Sequence, residues 1–316
     1  MKRFLIRLLL FQVFVYMIVL ILDFCTSFGL QRLPKNHLET FNAIMNDTLN
    51  YDVLILGNSR GTCHYNPYVL DSILECNSRN ISVSGQTYRI SNLRYQIYRR
   101  NNRPPKLVIL NIDHIELSSG TLGFEREQYF PYIKDTLVKE VLDIHCFTWM
   151  DKYIPMWRYK GSYKYIGMGL CEFLGLYHVK GKQHKGWTKN VGLWNGTNLE
   201  HILETDGLIN CTINDTVVDI FDNLLGQLQH EDVQAVMVYS PMYIKAQQNM
   251  SPTFDTIMMI YRELSNKYNI PILDYRSIPI NSDTTYFGDA THLNYIGAEL
   301  FTTKLAHDID SLGLLK

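Results

Sequence analysis

Two runs of four residues without a polar side chain, Val53-Leu54-Ile55-Leu56 and Leu107-Val108-Ile109-Leu110, constrain this chain more than any other stretch. A strand with one solvated face alternates apolar and polar residues, whereas a run with no polar position reads as a strand buried on both faces. Such a strand needs helices above and below its sheet. The intervening sequence supplies them. Pro67 opens a segment of helical spacing over 67–74, where proline suits a first turn. Residues 81–84 form a short predicted strand ending at Gly85-Gln86-Thr87, and 90–100 a helix with a basic end, stopped by Pro104-Pro105. The same alternation resumes after residue 216. A helix is predicted over 217–228, a strand over 233–239 and an amphipathic helix over 253–268. A strand over 270–274 and a helix over 294–312 complete the pattern. Strands alternating with helices at this spacing give an α/β fold with a parallel sheet.

The first strand runs into Gly57-Asn58-Ser59-Arg60-Gly61, a tight turn with glycine on either side of a serine. Open α/β sheets place their ligands at the carboxyl ends of strands, where Ser59 falls. A Gly-x-Ser alone is most often a polar loop, and the far end of the chain is what raises its interest. There, Gly288-Asp289-Ala290-Thr291-His292-Leu293-Asn294 sets an aspartate three residues before a histidine. A serine nucleophile needs a base to take its proton, and the base needs an acceptor to orient it. His292 and Asp289 supply both from one loop.

Gly57-Asn58-Ser59 together with Asp289-x-x-His292 resembles the first and last blocks of the SGNH (GDSL-type) hydrolases. The resemblance spans 51–117 and 233–305 and leaves the middle unmatched. It is closest in flavour to a membrane-anchored branch that includes the D-alanine transfer protein and alginate-type O-acetyltransferases. It implies a three-layer α/β/α, flavodoxin-like domain with Ser59, His292 and Asp289 as a catalytic triad. The backbone N–H groups of Ser59 and Gly85 would form an oxyanion hole. The family's third block usually adds an asparagine side chain, but here Asp113 stands at that position, with Asn111 two residues before it. An ionised aspartate cannot donate a hydrogen bond. This leaves a hole of backbone N–H groups, a substitute donor from Asn58 or Asn111, or a protein that is not an efficient esterase. Arg60 reads either as a clamp for an anionic substrate group or as half of a structural ion pair. Asn58 and Asp113 join it as candidate substrate contacts, while His64 and His114 read either as lining the mouth or, more often for such histidines, as plain loop residues.

Lys2, Arg3 and Arg7 precede an apolar run over 8–22 broken only by Gln12. With Phe4 to Ile6 included, the run reaches the length that crosses a bilayer. A cleaved signal peptide is the rival, but Cys25 and Ser27 make a poor cleavage site. We expect an uncleaved anchor over 1–30 with its basic flank inside, and a polar, helical spacer over 31–50. An extracytoplasmic domain over 51–316 follows, carrying an insertion at about 118–216. All four tryptophans lie in that insertion, which includes the Gly- and Lys-punctuated stretch 179–186. It reads equally as a small aromatic core or as a stacking surface for sugar rings.

The remaining features mainly exclude. A net charge of −1 over 316 residues offers no footprint for nucleic acid. Six cysteines without a Cys-x-x-Cys and ten histidines without a His-Glu-x-x-His argue against a metal site, and no Gly-rich phosphate motif argues for a nucleotide, so no cofactor is expected. Asn46, Asn80, Asn195, Asn210, Asn214 and Asn249 each begin an Asn-x-Ser/Thr match, which matters only in a eukaryotic secretory pathway. The expected activity is serine-dependent O-acylation of, or ester hydrolysis from, an envelope glycan or polymer. The resemblance adds a multi-pass membrane acyl-donor partner. The alternative is a non-catalytic glycan-binding or scaffold subunit.

Overall fold

The computed structural model describes the chain except residues 35, 47, 121–124, 143–145, 178–184 and 316. All but the last two residues of the 179–186 stretch therefore lie outside the described residues. Five strands are present: β1 (Val53–Leu56), β2 (Ser78–Asn80), β3 (Leu107–Asn111), β4 (Gln234–Tyr239) and β5 (Ile272–Asp274). The helices, in chain order, begin with α1 (Lys2–Leu30), α2 (Asn36–Asn46), α3 (Ser59–His64), α4 (Pro67–Leu74) and α5 (Tyr88–Asn101). They continue with α6 (Thr136–Leu142), α7 (Trp149–Tyr153), α8 (Tyr163–Phe173) and α9 (Thr197–Thr205). The last are α10 (Asp215–His230), α11 (Ile244–Gln248), α12 (Thr253–Tyr268) and α13 (Tyr295–Ser311).

The chain divides into two compact units, residues 1–46 with 125–183 and residues 47–124 with 184–316. The second is the α/β unit. Its sheet is parallel throughout, in the order β2-β1-β3-β4-β5. That is the flavodoxin-like order, which reverses direction between β1 and β3 and opens a crevice at their carboxyl ends. On one face Val53, Ile55, Leu107, Ile109, Val236 and Val238 pack with Phe301, Leu305 and Ile309 of α13. On the other, α5, α10 and α12 meet through Tyr88, Phe221 and Tyr261, whose rings pack face-to-face and edge-on. The two apolar runs are thus buried from both sides, as their composition requires. The strand predicted at 81–84 is assigned three residues earlier. Residues 81–83 nevertheless stay bonded to β1, with the N–H of Ile81 donating to Ile55 O and that of Val83 to Gly57 O.

The other unit differs from the expected plan. Residues 36–46 form helix α2, in keeping with a helical stretch there, but the helix buries Leu38, Phe41 and Ile44. Phe41 sets its ring edge-on to Tyr129 and Tyr132 at 4.9 and 5.4 Å. The 118–216 stretch is not one insertion. Its 125–183 part packs with the N-terminal helices, whereas 184–216 belongs to the α/β unit.

Candidate active site

Ser59 is the first residue of α3, at the carboxyl end of β1. Asn58 caps the helix, its side-chain oxygen accepting from the N–H of Arg60. Gly57 is required by crowding. A Cβ there would lie 2.6 Å from Asn111 Cβ and 3.2 Å from Glu116 Oε1. His292 Nε2 lies 2.7 Å from Ser59 Oγ, and His292 Nδ1 lies 2.9 Å from Asp289 Oδ2. The loop holding them is stiff. Asp289 Oδ1 accepts from the N–H groups of Thr291 and His292, at 2.8 and 3.0 Å, and from the Thr291 hydroxyl. Asn294 then caps α13 and donates to Thr285 O. Burial opposes ionisation of Asp289, but the His292 ring N–H, the charge of His292 and the Thr291 donors overcome it. The carboxyl is held down at about 2.

The Ser84–Gly85 turn lies against the start of α3 through a 3.3 Å contact between the Thr62 and Ser84 hydroxyls. Gly85 has φ 69°, a left-handed conformation that glycine adopts without strain. Among the described residues, no acceptor takes the N–H of Ser59 or that of Gly85.

Asn58, Asn111 and Asp113 are placed differently from their readings as substrate contacts or oxyanion donor, and Arg60 takes the ion-pair reading. All four are at most 2% exposed and turn inward beneath the serine turn. Asn58 Nδ2 donates to Asp113 Oδ2 at 2.8 Å. Arg60 reaches the Ser240 carbonyl, lies 3.7 Å from Asp113 and sits over the Tyr239 ring. It is the structural ion pair rather than a substrate clamp. Asn111 accepts from the Tyr65 hydroxyl at 2.9 Å, and its amide nitrogen faces Asp113 and Glu116. Its donor therefore points away from the crevice, and Asn111 is not an oxyanion donor in this arrangement.

Sequence reasoning missed Glu116. It is fully buried, and its Oε1 accepts from the N–H of Asn58 at 2.6 Å, pinning the turn that carries Ser59. Burial and the neighbouring Asp113 charge push its carboxyl well above the usual range, whereas Asp113 stays low. Burial opposes Asp113 ionisation too, but Arg60, His114, the Asn58 amide and the Ile115 N–H outweigh it. The two carboxyls are thus pushed in opposite directions beside a single guanidinium. Glu116→Gln should leave the urea midpoint unchanged or raised, because the amide keeps the acceptor for Asn58. Asp113→Ala should cost about 3–5 kcal/mol, because it strands the Arg60 charge. Its only sequence signal was its place in the loop after a buried strand.

His64 has a role that its sequence position did not show. It is not at the mouth. Its Nε2 accepts from the N–H of Leu293 at 3.0 Å and its Nδ1 lies 2.8 Å from Ser240 Oγ. Nδ1 therefore carries the hydrogen and Nε2 is bare. Ser240 passes the bond on to Asn111 Oδ1 at 3.3 Å. The residue next to His292 is thus tied to α3 by a neutral ring. Burial, then the charges of Arg60 and His292, hold His64 well below its ordinary value. Burial also lowers His114. The sign follows: below about 6.5 the unfolded chain takes up protons that the folded one refuses, so stability falls with falling pH. His64→Gln should flatten the urea stability profile below that pH by ~1.4 kcal/mol per pH unit relative to the native chain.

Trp187 donates to Cys63 O and is buried in the core beside α3. Trp194 remains partly exposed, edge-on to Tyr243 at 4.7 Å. Its neighbour Asn195 pairs with the Asp289 loop through a 2.8 Å bond to Gly288 O. Among the described residues, no group of three or more His, Cys, Asp or Glu side chains could hold a metal ion.

The sequence matches no protein-family model and no curated protein. Solved structures offer distant likenesses. One is a family two carbohydrate esterase from Clostridium thermocellum in complex with cellohexaose, at 11% identity and TM-score 0.41, covering 85% of this chain and 67% of that one. Another is an acetyl xylan esterase, at 13% identity and TM-score 0.40, covering 82% and 98%. A third is a lipase/acylhydrolase from Enterococcus faecalis, at 9% identity and TM-score 0.40, covering 82% and 96%. The chemistry of the site rests on its own atoms.

Proposed function

We propose that this protein performs serine-dependent acyl chemistry on an extracytoplasmic glycan or envelope polymer. The observation that carries the reading is the relay Asp289–His292–Ser59, with contacts of 2.9 and 2.7 Å. Asp289 accepts the Nδ1 hydrogen of His292, which leaves Nε2 bare to take the Ser59 proton. Ser59 Oγ bonds to the acyl carbon while the carbonyl π pair moves onto oxygen, and the Ser59 and Gly85 N–H groups receive that charge. The intermediate collapses by expelling the alcohol, which leaves with the proton held on His292. An acyl-serine remains. Water or an acceptor hydroxyl, deprotonated by His292, then attacks it and restores Ser59.

The glycan acceptor is supported by the Trp194–Tyr243 pair beside the Asp289 loop, since flat aromatic faces suit sugar rings. The hole has two backbone donors and no side-chain donor, which slows acylation and deacylation alike. Each missing donor costs about 10²–10³ in turnover, so hydrolysis of small free esters should be slow. A multi-pass membrane partner delivering the acyl group fits an anchored subunit of this kind. The testing experiment treats full-length protein with a serine-reactive phosphonate and maps the adduct by peptide mass spectrometry. An adduct on Ser59, absent in His292→Ala, supports the proposal. A folded native chain that takes no label at Ser59 overturns it as an activated serine.

A further inference from the structure

The candidate spanning helix and the unit it belongs to have a consequence independent of Ser59. Helix α1 has 29 residues and mean hydropathy 2.6 over its most apolar window. About 20 residues suffice to cross ~30 Å of hydrocarbon, so the last third of α1 stands beyond it. That third is built into the fold. Asp23, the first charge after the apolar run, accepts from the Met156 N–H and from Arg158, each at 2.7 Å. Ser27 Oγ lies 2.8 Å from both the Tyr159 hydroxyl and Arg158. Thr26, Gly29 and Leu30 are buried, and a Cβ on Gly29 would overlap the Gly169 carbonyl of α8. Phe24, Phe28 and Phe173 continue the seam, with ring centroids 5.7 and 5.9 Å apart. Cleavage after residue 25 or 27 would strand the buried Arg158 without its carboxylate and open the Gly169 face, a costly pair of losses.

The same bonds fix depth. Met156 and Arg158 are held level with Asp23, where the apolar run ends, and Phe173 is held level with Phe28. Beside these points the surface is apolar and aromatic. Trp149, Tyr153, Leu174 and Leu176 are each 63–69% exposed. Lys152, Lys160 and Lys164 punctuate the segment, and Lys160 lies over the Trp157 ring. Trp and Tyr favour the headgroup layer, where one end of the side chain is apolar and the other wet. We propose that α1 is a retained anchor and that the surface formed by α7 and the end of α8 seats in the headgroup layer of the bilayer α1 crosses. A protein partner is the lesser occupant, because α1 itself brings this surface to lipid in every copy.

The test uses the full chain in phosphatidylcholine nanodiscs, with Trp149 as the one tryptophan and Trp157, Trp187 and Trp194 replaced by phenylalanine. Lipid brominated near the headgroup should quench Trp149 roughly twofold or more, as expected of a ring at the interface, while aqueous iodide quenches it little. If that variant does not fold, subtracting the emission of Trp149→Phe from that of the native chain gives the same reading. No quenching by brominated lipid overturns the seating, strong iodide quenching then showing a ring in water and weak iodide quenching a ring covered by protein. Intact-mass measurement of membrane-extracted protein should find residues 1–25 present, and their loss overturns retention.

Discussion

Ser59→Ala should lower turnover of an activated ester such as 4-nitrophenyl acetate by about 10³–10⁴, the ~10⁶ of a complete site less the 10²–10³ already lost with the side-chain oxyanion donor. The loss is this large because no neighbouring group can replace the oxygen. His64 is engaged at both nitrogens, and the pKa of Cys63, the nearest thiol along α3, is raised by burial. Ser59 makes few structural bonds, so the unfolding midpoint should stay within a few tenths of a kcal/mol of the native chain. Steady-state kinetics beside urea denaturation read both. Retained turnover in Ser59→Ala would exclude this serine as the nucleophile.

Asp289→Asn should lower kcat by about 10⁴ with little change in KM, because an amide can donate to Nδ1 and stabilise the wrong imidazole tautomer. The aspartate also contributes to stability, and the sign can be worked out. Its folded value, about 2, lies below the unfolded value near 3.9, so its contribution is complete above the latter and lost as pH falls through the former. The variant should therefore show a smaller loss of stability between pH 5 and 2 than the native chain. A kcat within tenfold of native would mean that His292 is oriented by something other than Asp289. The neighbours able to do that are visible. Thr291 Oγ1 lies 3.1 Å from His292 Nδ1, and the loop keeps the Asn294 cap and the Leu293–His64 bond.

Composition and spacing were enough for the strands and helices of the α/β unit, because each is a local signal. VLIL and LVIL can be satisfied only by burial on both faces, and the helix predicted over 253–268 spans the same residues in the structure. Ser59, Asp289 and His292 were legible as residues of a chemical type at telling positions, though Ser59 and His292 are 233 residues apart. What Asn58, Asn111 and Asp113 would do was not legible, and for Arg60 two readings stayed open. Whether a side chain after a strand turns into the crevice or under the sheet depends on what packs beneath it. Here the packing is supplied by Ser240, Tyr239 and Glu116 from elements far along the chain.

The N-terminal half of the problem shows the same division. The apolar run and its basic flank alone determined that a helix could cross a bilayer, because transfer to hydrocarbon depends on composition over about 20 residues. Only the tertiary structure decided that residues 23–30 and 36–46 pack with 125–183, because those contacts join segments about a hundred residues apart and leave no periodic trace in either. The sequence by itself determined the α/β class, the serine turn and the Asp-x-x-His loop. Packing between distant segments decided which polar residues face the crevice and which are spent holding it in place. A buried donor or acceptor must find its partner wherever the chain brings one.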